Sequence, residues 1–275
     1  WDIAAFLGWA KTVPGTGLDG TPTPGTGVPA GTGSGTAATT ETDAVLLSAE
    51  GLLEHLPAGM DSSLGWATWN GNGFSFSVPA FLNAATMVEQ LAVSGLTADR
   101  MATGALPSAS GSPAFSGRYL IKIGDSSRLS AERSRLGPAL GLARIPFAGT
   151  ERIGAHVYSL CVRADAAASP GVADFAAFVA LDPDARLLAS RFYQSEGYLP
   201  VLRDQEVWEA TAGKADAVRF FLAYRPLLEN AYVDGSTCIP GWEAVYTDRF
   251  RRVESELLKG TLTAGQAVEA LQADS

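Results

Sequence analysis

The stretch from Pro14 to Thr40 constrains the fold of this chain most, because it offers almost no side chains with which to build a core. Glycine, proline, threonine and serine fill 21 of its 27 positions. Such a composition cannot bury enough apolar surface to offset the entropy that is lost on ordering. We therefore predict a flexible loop or linker over residues 14–42, between a short segment at 1–13 and a folded domain at 43–275.

The glycine content of this stretch also raises the question of a phosphate-binding loop. A P-loop ends its glycine-rich turn in Gly-Lys followed by Ser or Thr, because the lysine and the hydroxyl contact phosphate and magnesium. No such run occurs in the sequence. We therefore expect no nucleotide and no other cofactor.

The chain is acidic, with 29 aspartate and glutamate residues against 20 lysine and arginine residues and a formal net charge of −9. Proteins that bind nucleic acid do so through clustered lysine and arginine. No basic patch interleaved with aromatic residues is present in the sequence, and no apolar run is long enough to cross a bilayer. We expect a soluble globular protein without a nucleic-acid partner.

The spacing of apolar residues predicts a domain in which helices and strands alternate. Helical spacing covers 1–13, 44–56, 79–94, Val172–Leu181, 182–192, 215–228, a long segment from Trp242 and a last helix opened by a capping box at Thr263. Strand-like patterns cover 74–78, Arg118–Ile123 and Ala155–Arg163. The apolar face of the 79–94 helix is formed by Leu82, Ala85, Val88 and Leu91. Strands separated by helices indicate an α/β fold class.

Residues that carry catalysis or bind metals are sparse. The two histidines, His55 and His156, lie about a hundred positions apart, and neither His-x-x-x-His nor Cys-x-x-Cys spacing occurs, so we expect no metal site. The Gly-x-Ser-x-Gly sequence of serine hydrolases is absent. A glycosidase with paired carboxylates stays open, because the separation of carboxylates in space is not visible in a sequence. The state of Cys161 and Cys238, a disulfide or two thiols, also stays open.

Aromatic residues are the more informative group. They gather in two regions near chain breaks: Trp66, Trp69, Phe74 and Phe76, and then Tyr193, Tyr198, Trp242 and Tyr246. Aromatic faces suit sugar rings, whose C–H groups pack on the ring while the hydroxyl groups form hydrogen bonds. For each of these residues the alternative is an ordinary place in the core. Asp125 has a similar pair of readings, as a ligand contact at a strand-to-helix turn or as a helix N-cap.

The order of short motifs along residues 66–275 resembles that of a known family. The motifs are Asn70 to Pro79 with a helix ending at Gly95, Phe115 to Gly124, Ile145-Pro146-Phe147, Ala173 to Phe178, Tyr198 to Val201, Ile239-Pro240-Gly241-Trp242, and Leu258 to Leu271. In this order they resemble the extracellular solute-binding proteins of ABC importers, and among these the family that carries sugars and oligosaccharides.

The resemblance implies a type II periplasmic-binding-protein-like fold, mostly its second lobe plus the C-terminal helices that return to the hinge. The opening Trp1-Asp2-Ile3 is similar to the segment where such proteins begin their second lobe. We therefore expect a first lobe, with a signal or lipoprotein segment, upstream of Trp1, or a second chain that supplies this lobe.

The resemblance also implies a function and a set of ligand contacts. The function is non-catalytic binding of a small uncharged solute, a sugar or an oligosaccharide, and its delivery to a membrane permease from an extracellular or periplasmic, lipid-anchored position. The implied contacts are Asp125, Ser126, Ser127, His156, Trp242 and Tyr246, to which composition adds Trp66 and Trp69. Two alternatives are a scaffold or interaction subunit that has lost transport and a carbohydrate-active enzyme.

Overall fold

The structure is a computed structural model. It describes residues 3–10, 12, 45–48, 51–94, 97, 119–123, 149–150, 152–157, 160–166, 169, 171–196, 199–200, 203–212, 225–235 and 239–273. The predicted linker therefore lies outside the described residues. The chain divides into two compact units. Unit 1 falls within Trp1–Ile123, Ile145–Thr150 and Cys238–Ser275, and unit 2 within Gly124–Arg144 and Glu151–Thr237.

The secondary structure of the described residues is mostly helical, with short strands. In chain order the elements are α1 Ile3–Ala10, β1 Val45–Ser48, α2 Leu52–Met60, α3 Pro79–Val93, β2 Tyr119–Lys122, β3 Gly154–Ala155, α4 Val172–Leu181, α5 Pro183–Glu196, α6 Gln205–Ala212, β4 Tyr232–Val233, α7 Trp242–Val245, a π-helical turn Tyr246–Phe250, α8 Arg251–Leu258 and α9 Ala264–Gln272. None of the helices described is both long and apolar enough to cross a membrane.

The strands form two parallel pairs, one in each unit. In unit 1, β1 pairs with β2 so that Leu47 lies opposite Ile121. In unit 2, β3 pairs with β4 so that Ala155 lies opposite Val233. Parallel strands require a crossover connection, and helices lie between the two strands of each pair along the chain. The predicted α/β class is therefore confirmed as a combination of helices with parallel strands.

Helix α3 lies at the centre of the unit 1 core. It packs against α2, α8 and α9, and its fully buried side chains include Phe81, Ala84, Val88 and Leu91. The predicted face was wrong at Leu82, which is 43% exposed. Phe81, the residue before Leu82, is buried instead. Successive side chains point about 100° apart around a helix, so Leu82 points away from the face that carries Phe81.

Two glutamates from distant helices hold the N-termini of α2 and α9. The backbone N–H of Leu53 donates to Glu254 Oε1 at 3.1 Å, across 201 positions of sequence. The N–H of Ala264 donates to Glu89 Oε2 at 2.9 Å. The first N–H groups of a helix have no partner within it, and a carboxylate there satisfies one of them and complements the helix dipole. These contacts tie the C-terminal helices to α2 and α3.

The structure confirms two helix starts that were predicted from polar capping residues. Thr263 forms the predicted capping box with Gln266 before α9. Asp182 Oδ1 accepts hydrogen bonds from the N–H groups of Asp184 and Ala185 at the start of α5. Helix α6 was not predicted, although Asp204 caps it in the same way. Of the helix predicted over 215–228, only 225–228 is described, and it is helical.

Three other predictions of secondary structure were wrong in part. Residues 45–48 form strand β1 rather than helix, and α2 begins only at Leu52. Residues 74–78 are not a strand: residues 76 and 77 form a turn, and the N–H of Ser75 donates to Thr68 Oγ1 instead of to a neighbouring strand. Of the described residues in the strand predicted over 155–163, only Ala155 is in a strand, β3, which pairs with β4 at Tyr232–Val233.

We predict that replacing Glu254 with Ala lowers the free energy of unfolding by about 1–3 kcal/mol, because it leaves a buried N–H of α2 without an acceptor. Glu254→Gln keeps an acceptor oxygen and should lose less. Glu269→Ala, at an exposed position of α9, is the matched control. Urea unfolding followed by circular dichroism measures all three, and equal losses for Glu254→Ala and Glu269→Ala would contradict the capping role.

Candidate functional site

Eight aromatic side chains of unit 1 are joined by ring contacts into one group, which we call the aromatic cluster. Its neighbouring ring centroids lie within 6.4 Å of each other. Its members are Trp66, Trp69, Phe74, Phe76, Phe81, Trp242, Tyr246 and Phe250. The structure therefore brings together the four aromatic residues predicted to contact ligand, namely Trp66, Trp69, Trp242 and Tyr246.

The cluster has a buried side and a half-buried side. Trp66 is 1% exposed and Trp242 is 8% exposed, so both belong to the core. Trp69, Phe74 and Tyr246 are half-buried. The rings of the second group are the accessible ones, and we call these three residues the open aromatic face. Trp69 and Phe74 contact each other, and Tyr246 is linked to Phe74 through Trp66. Burial thus assigns a packing role to Trp66 and Trp242 and leaves ring contacts with a ligand to the open aromatic face.

The loop between α2 and α3 sets the positions of Trp66 and Trp69. Gly65 and Trp69 are joined by a backbone hydrogen bond of 2.6 Å, and Trp69 N–H donates back to the carbonyl of Trp66. Between them Ala67 adopts a left-handed conformation with φ of 53°, which costs energy for a residue with a side chain. Its N–H donates to the carbonyl of Glu54, which holds the loop against α2.

Glu54 also holds the Trp66 ring through its side chain. Trp66 Nε1 donates to Glu54 Oε2 at 3.0 Å, and His55 Nε2 lies 3.8 Å from Glu54 Oε1. A buried indole N–H needs an acceptor, and a carboxylate is a strong one. Glu54 therefore orients the ring on which Trp242 and Tyr246 pack.

The other half of the cluster comes from the helix that begins after Gly241. This glycine has φ of 74°, in the left-handed region, and so redirects the chain into α7. The Trp242 and Tyr246 rings stack with centroids 4.8 Å apart and planes 11° apart. The Arg251 guanidinium lies 5.6 Å from the Tyr246 ring centroid. The helix has a π turn at Tyr246–Phe250, and such turns occur often at functional sites.

His156, the predicted contact of unit 2 that falls within the described residues, lies at the carboxyl end of strand β3. Its Nδ1 is 3.5 Å from Asp234 Oδ1, at the carboxyl end of β4. The N–H of Asp234 donates to the carbonyl of Ala155, which fixes the two strand ends side by side. In open parallel sheets, ligands bind beyond this end of the strands.

The remaining predicted contacts, Asp125, Ser126 and Ser127, lie outside the described residues. Glu54 and Asp234 were not predicted, because no sequence motif links Glu54 to Trp66 or Asp234 to His156. Phe250, which follows Trp242 and Tyr246 at helical spacing, is fully buried and its ring centroid lies 5.4 Å from that of Trp66. Cys161 is exposed and Cys238 lies outside the described residues, so their pairing stays open.

Comparison with protein-family models, with curated proteins and with solved structures found no match to this chain. Within the described residues, no group of three or more His, Cys, Asp or Glu side chains is placed to hold a metal ion. The resemblance to solute-binding proteins therefore depends on the sequence motifs alone.

We predict that Trp66→Ala lowers the free energy of unfolding by about 3–5 kcal/mol, the usual cost of removing a large ring from a core. Trp69→Ala should cost clearly less, because this ring is half-buried and leaves no enclosed cavity. Urea unfolding of both variants tests the difference. Similar losses for the two variants would contradict the division of the cluster into a buried and an open side.

Proposed function

We propose that the chain binds a small uncharged solute, a sugar or an oligosaccharide, without catalysing a reaction, and delivers it to the permease of an ABC importer. The observation that carries this proposal is the open aromatic face formed by Trp69, Phe74 and Tyr246. Phe74 lies within the motif from Asn70 to Pro79, Trp69 directly precedes that motif, and Tyr246 follows the motif Ile239-Pro240-Gly241-Trp242.

The chemistry of the open aromatic face suits a sugar better than an ion. Half-buried rings offer flat apolar surface on which the C–H groups of a pyranose pack. Trp69 and Phe74 have ring centroids 5.2 Å apart and planes inclined by 61°, so they present two differently oriented surfaces. Hydroxyl groups of the solute would remain in contact with water or with polar groups at the edge.

The finer fold assignment is part of the same proposal. We assign the chain to a type II periplasmic-binding-protein-like fold, consisting mostly of the second lobe and the returning C-terminal helices. Two features support it, namely the parallel strand pairs with helices in their connections and the contacts of α8 and α9 with α3. The proposed location is extracellular or periplasmic, with a lipid anchor.

One observation favours a second candidate, an interaction or scaffold subunit without transport. Helix α4 buries none of its side chains. Phe175, Phe178 and Leu181 are 67%, 48% and 62% exposed. Exposed apolar patches of this kind are a common mark of protein interaction surfaces.

We predict that millimolar maltotriose or a related uncharged oligosaccharide raises the melting temperature, because a ligand that binds only the folded state stabilises it. Trp69→Ala and Tyr246→Ala should each abolish this increase. Phe175→Ala, which removes an exposed aromatic ring from unit 2, should leave it unchanged. Differential scanning fluorimetry across a panel of oligosaccharides measures the three variants against the unmodified protein.

The same experiment separates the three functions considered. A scaffold gives no thermal shift with any oligosaccharide, which would overturn solute binding. A carbohydrate-active enzyme consumes the oligosaccharide, so chromatography of the incubated sugar would show shorter products. A binding protein gives the shift and returns the sugar intact.

A further inference from the structure

The loop 69–74 carries two of the three rings of the open aromatic face, one at each end. The centroids of the Trp69 and Phe74 rings are 5.2 Å apart. The loop lies within 51–94, a run in which every residue is described. Its backbone turns at Gly71, whose φ of 97° lies in the left-handed region that favours glycine. The chain thus reverses its direction between the two rings.

The side chain of Asn70 closes this loop. Its Oδ1 accepts hydrogen bonds from the N–H of Asn72 at 3.0 Å and from the N–H of Gly73 at 3.1 Å. The N–H of Asn70 donates in turn to the carbonyl of Gly73 at 3.3 Å. Asn70 directly follows Trp69, and Gly73 directly precedes Phe74. The carboxamide of Asn70 is therefore held close to the backbone positions that carry the two rings.

The same hydrogen bonds fix the direction in which the carboxamide faces. A backbone N–H can donate only to the oxygen of a carboxamide, so the N–H groups of Asn72 and Gly73 assign Oδ1 to the inside of the turn. The Nδ2 group must then face away from these two donors. Asn70 is an exposed residue. The loop therefore presents an amide group with two N–H donors in a fixed orientation.

A fixed donor next to an aromatic ring suits a sugar in particular. When a pyranose packs on a ring, its C–H groups cover the ring and its equatorial hydroxyl groups point outwards around the edge. A hydroxyl group at that edge needs a polar partner. An amide that is already held by two hydrogen bonds loses little conformational entropy on binding it. Such a donor favours a hydroxylated ring over an aliphatic or aromatic solute of similar size.

We propose that Asn70 is a further ligand contact of the open aromatic face, and that its Nδ2 donates a hydrogen bond to a hydroxyl group of the bound sugar. The sugar packs on Trp69 or Phe74. Oδ1 holds the loop while Nδ2 binds the solute, so one carboxamide both positions the rings and selects for hydroxyl groups. This inference rests on the proposed function, because it requires that the open aromatic face binds a sugar.

The variant Asn70→Ser separates the two roles of the side chain. A serine hydroxyl still accepts a backbone N–H of the turn, but this shorter side chain has no amide group that faces outwards. The probes are maltotriose, cellotriose and raffinose, and isothermal titration calorimetry measures their dissociation constants. For each probe that binds the unmodified protein, we expect Asn70→Ser to raise the dissociation constant about tenfold, as for the loss of one hydrogen bond. Asn72→Ser, the same replacement at another exposed position of the loop, is the matched control and should leave it unchanged.

A second measurement shows whether the loop keeps its shape in the variant. Incorporation of 5-fluorotryptophan gives one ¹⁹F NMR signal for each of the six tryptophans, and Trp69→Phe identifies the signal of Trp69. We expect this signal to move strongly in Phe74→Leu, which removes the neighbouring ring. In Asn70→Ser it should stay close to its position in the unmodified protein.

The outcomes separate this inference from the proposed function. If none of the three oligosaccharides binds the unmodified protein, both are overturned. If one of them binds and Asn70→Ser leaves its dissociation constant unchanged, or Asn72→Ser weakens binding equally, only the role of Asn70 is overturned. A Trp69 signal that moves as far in Asn70→Ser as in Phe74→Leu also overturns this role, because the weaker binding would then result from a displaced loop.

Discussion

The buried carboxylate of Glu254 is the contact on which the arrangement of unit 1 depends. It accepts the N–H of Leu53 at the first turn of α2, where Gly51 offers no side chain as a cap. A buried carboxylate is stable only when it is hydrogen-bonded, so this group requires α2 and α8 to meet. Two segments that lie 201 positions apart are thereby joined at one point of the core.

The aromatic cluster is a consequence of the same meeting of helices. Leu53 is held by Glu254, and the next residue, Glu54, holds the indole of Trp66. On the other side, α8 continues from the π turn that carries Tyr246. On α2, Leu53 makes the core contact and Glu54 the cluster contact. On the C-terminal side, Glu254 of α8 makes the core contact and Tyr246 of the π turn belongs to the cluster. The rings are placed by the helices that pack beneath them, which explains why residues from distant parts of the sequence lie together.

Local signals in the sequence predicted the local parts of the fold. Pro79 and the capping residues Asp182 and Thr263 each start a helix through contacts or constraints within a few residues, and the three helices are present. The long-range carboxylate contacts of Glu89 and Glu254 have no such signal, because any of the 29 acidic residues could have formed them. Four of the proposed contacts, Trp66, Trp69, Trp242 and Tyr246, do lie together, but no pattern indicated which of the rings are buried.

Burial decides how these rings can act. A ring that is 1% exposed, as in Trp66, can affect a ligand only through the rings that pack on it. Trp66 contacts Phe74 and Tyr246, two of the three residues of the open aromatic face. Its orientation depends on Glu54, so this carboxylate is linked to the open aromatic face through two successive contacts. Two rings of the open aromatic face, Phe74 and Tyr246, therefore pack directly on the core, whereas the loop between α2 and α3 sets the position of the third, Trp69.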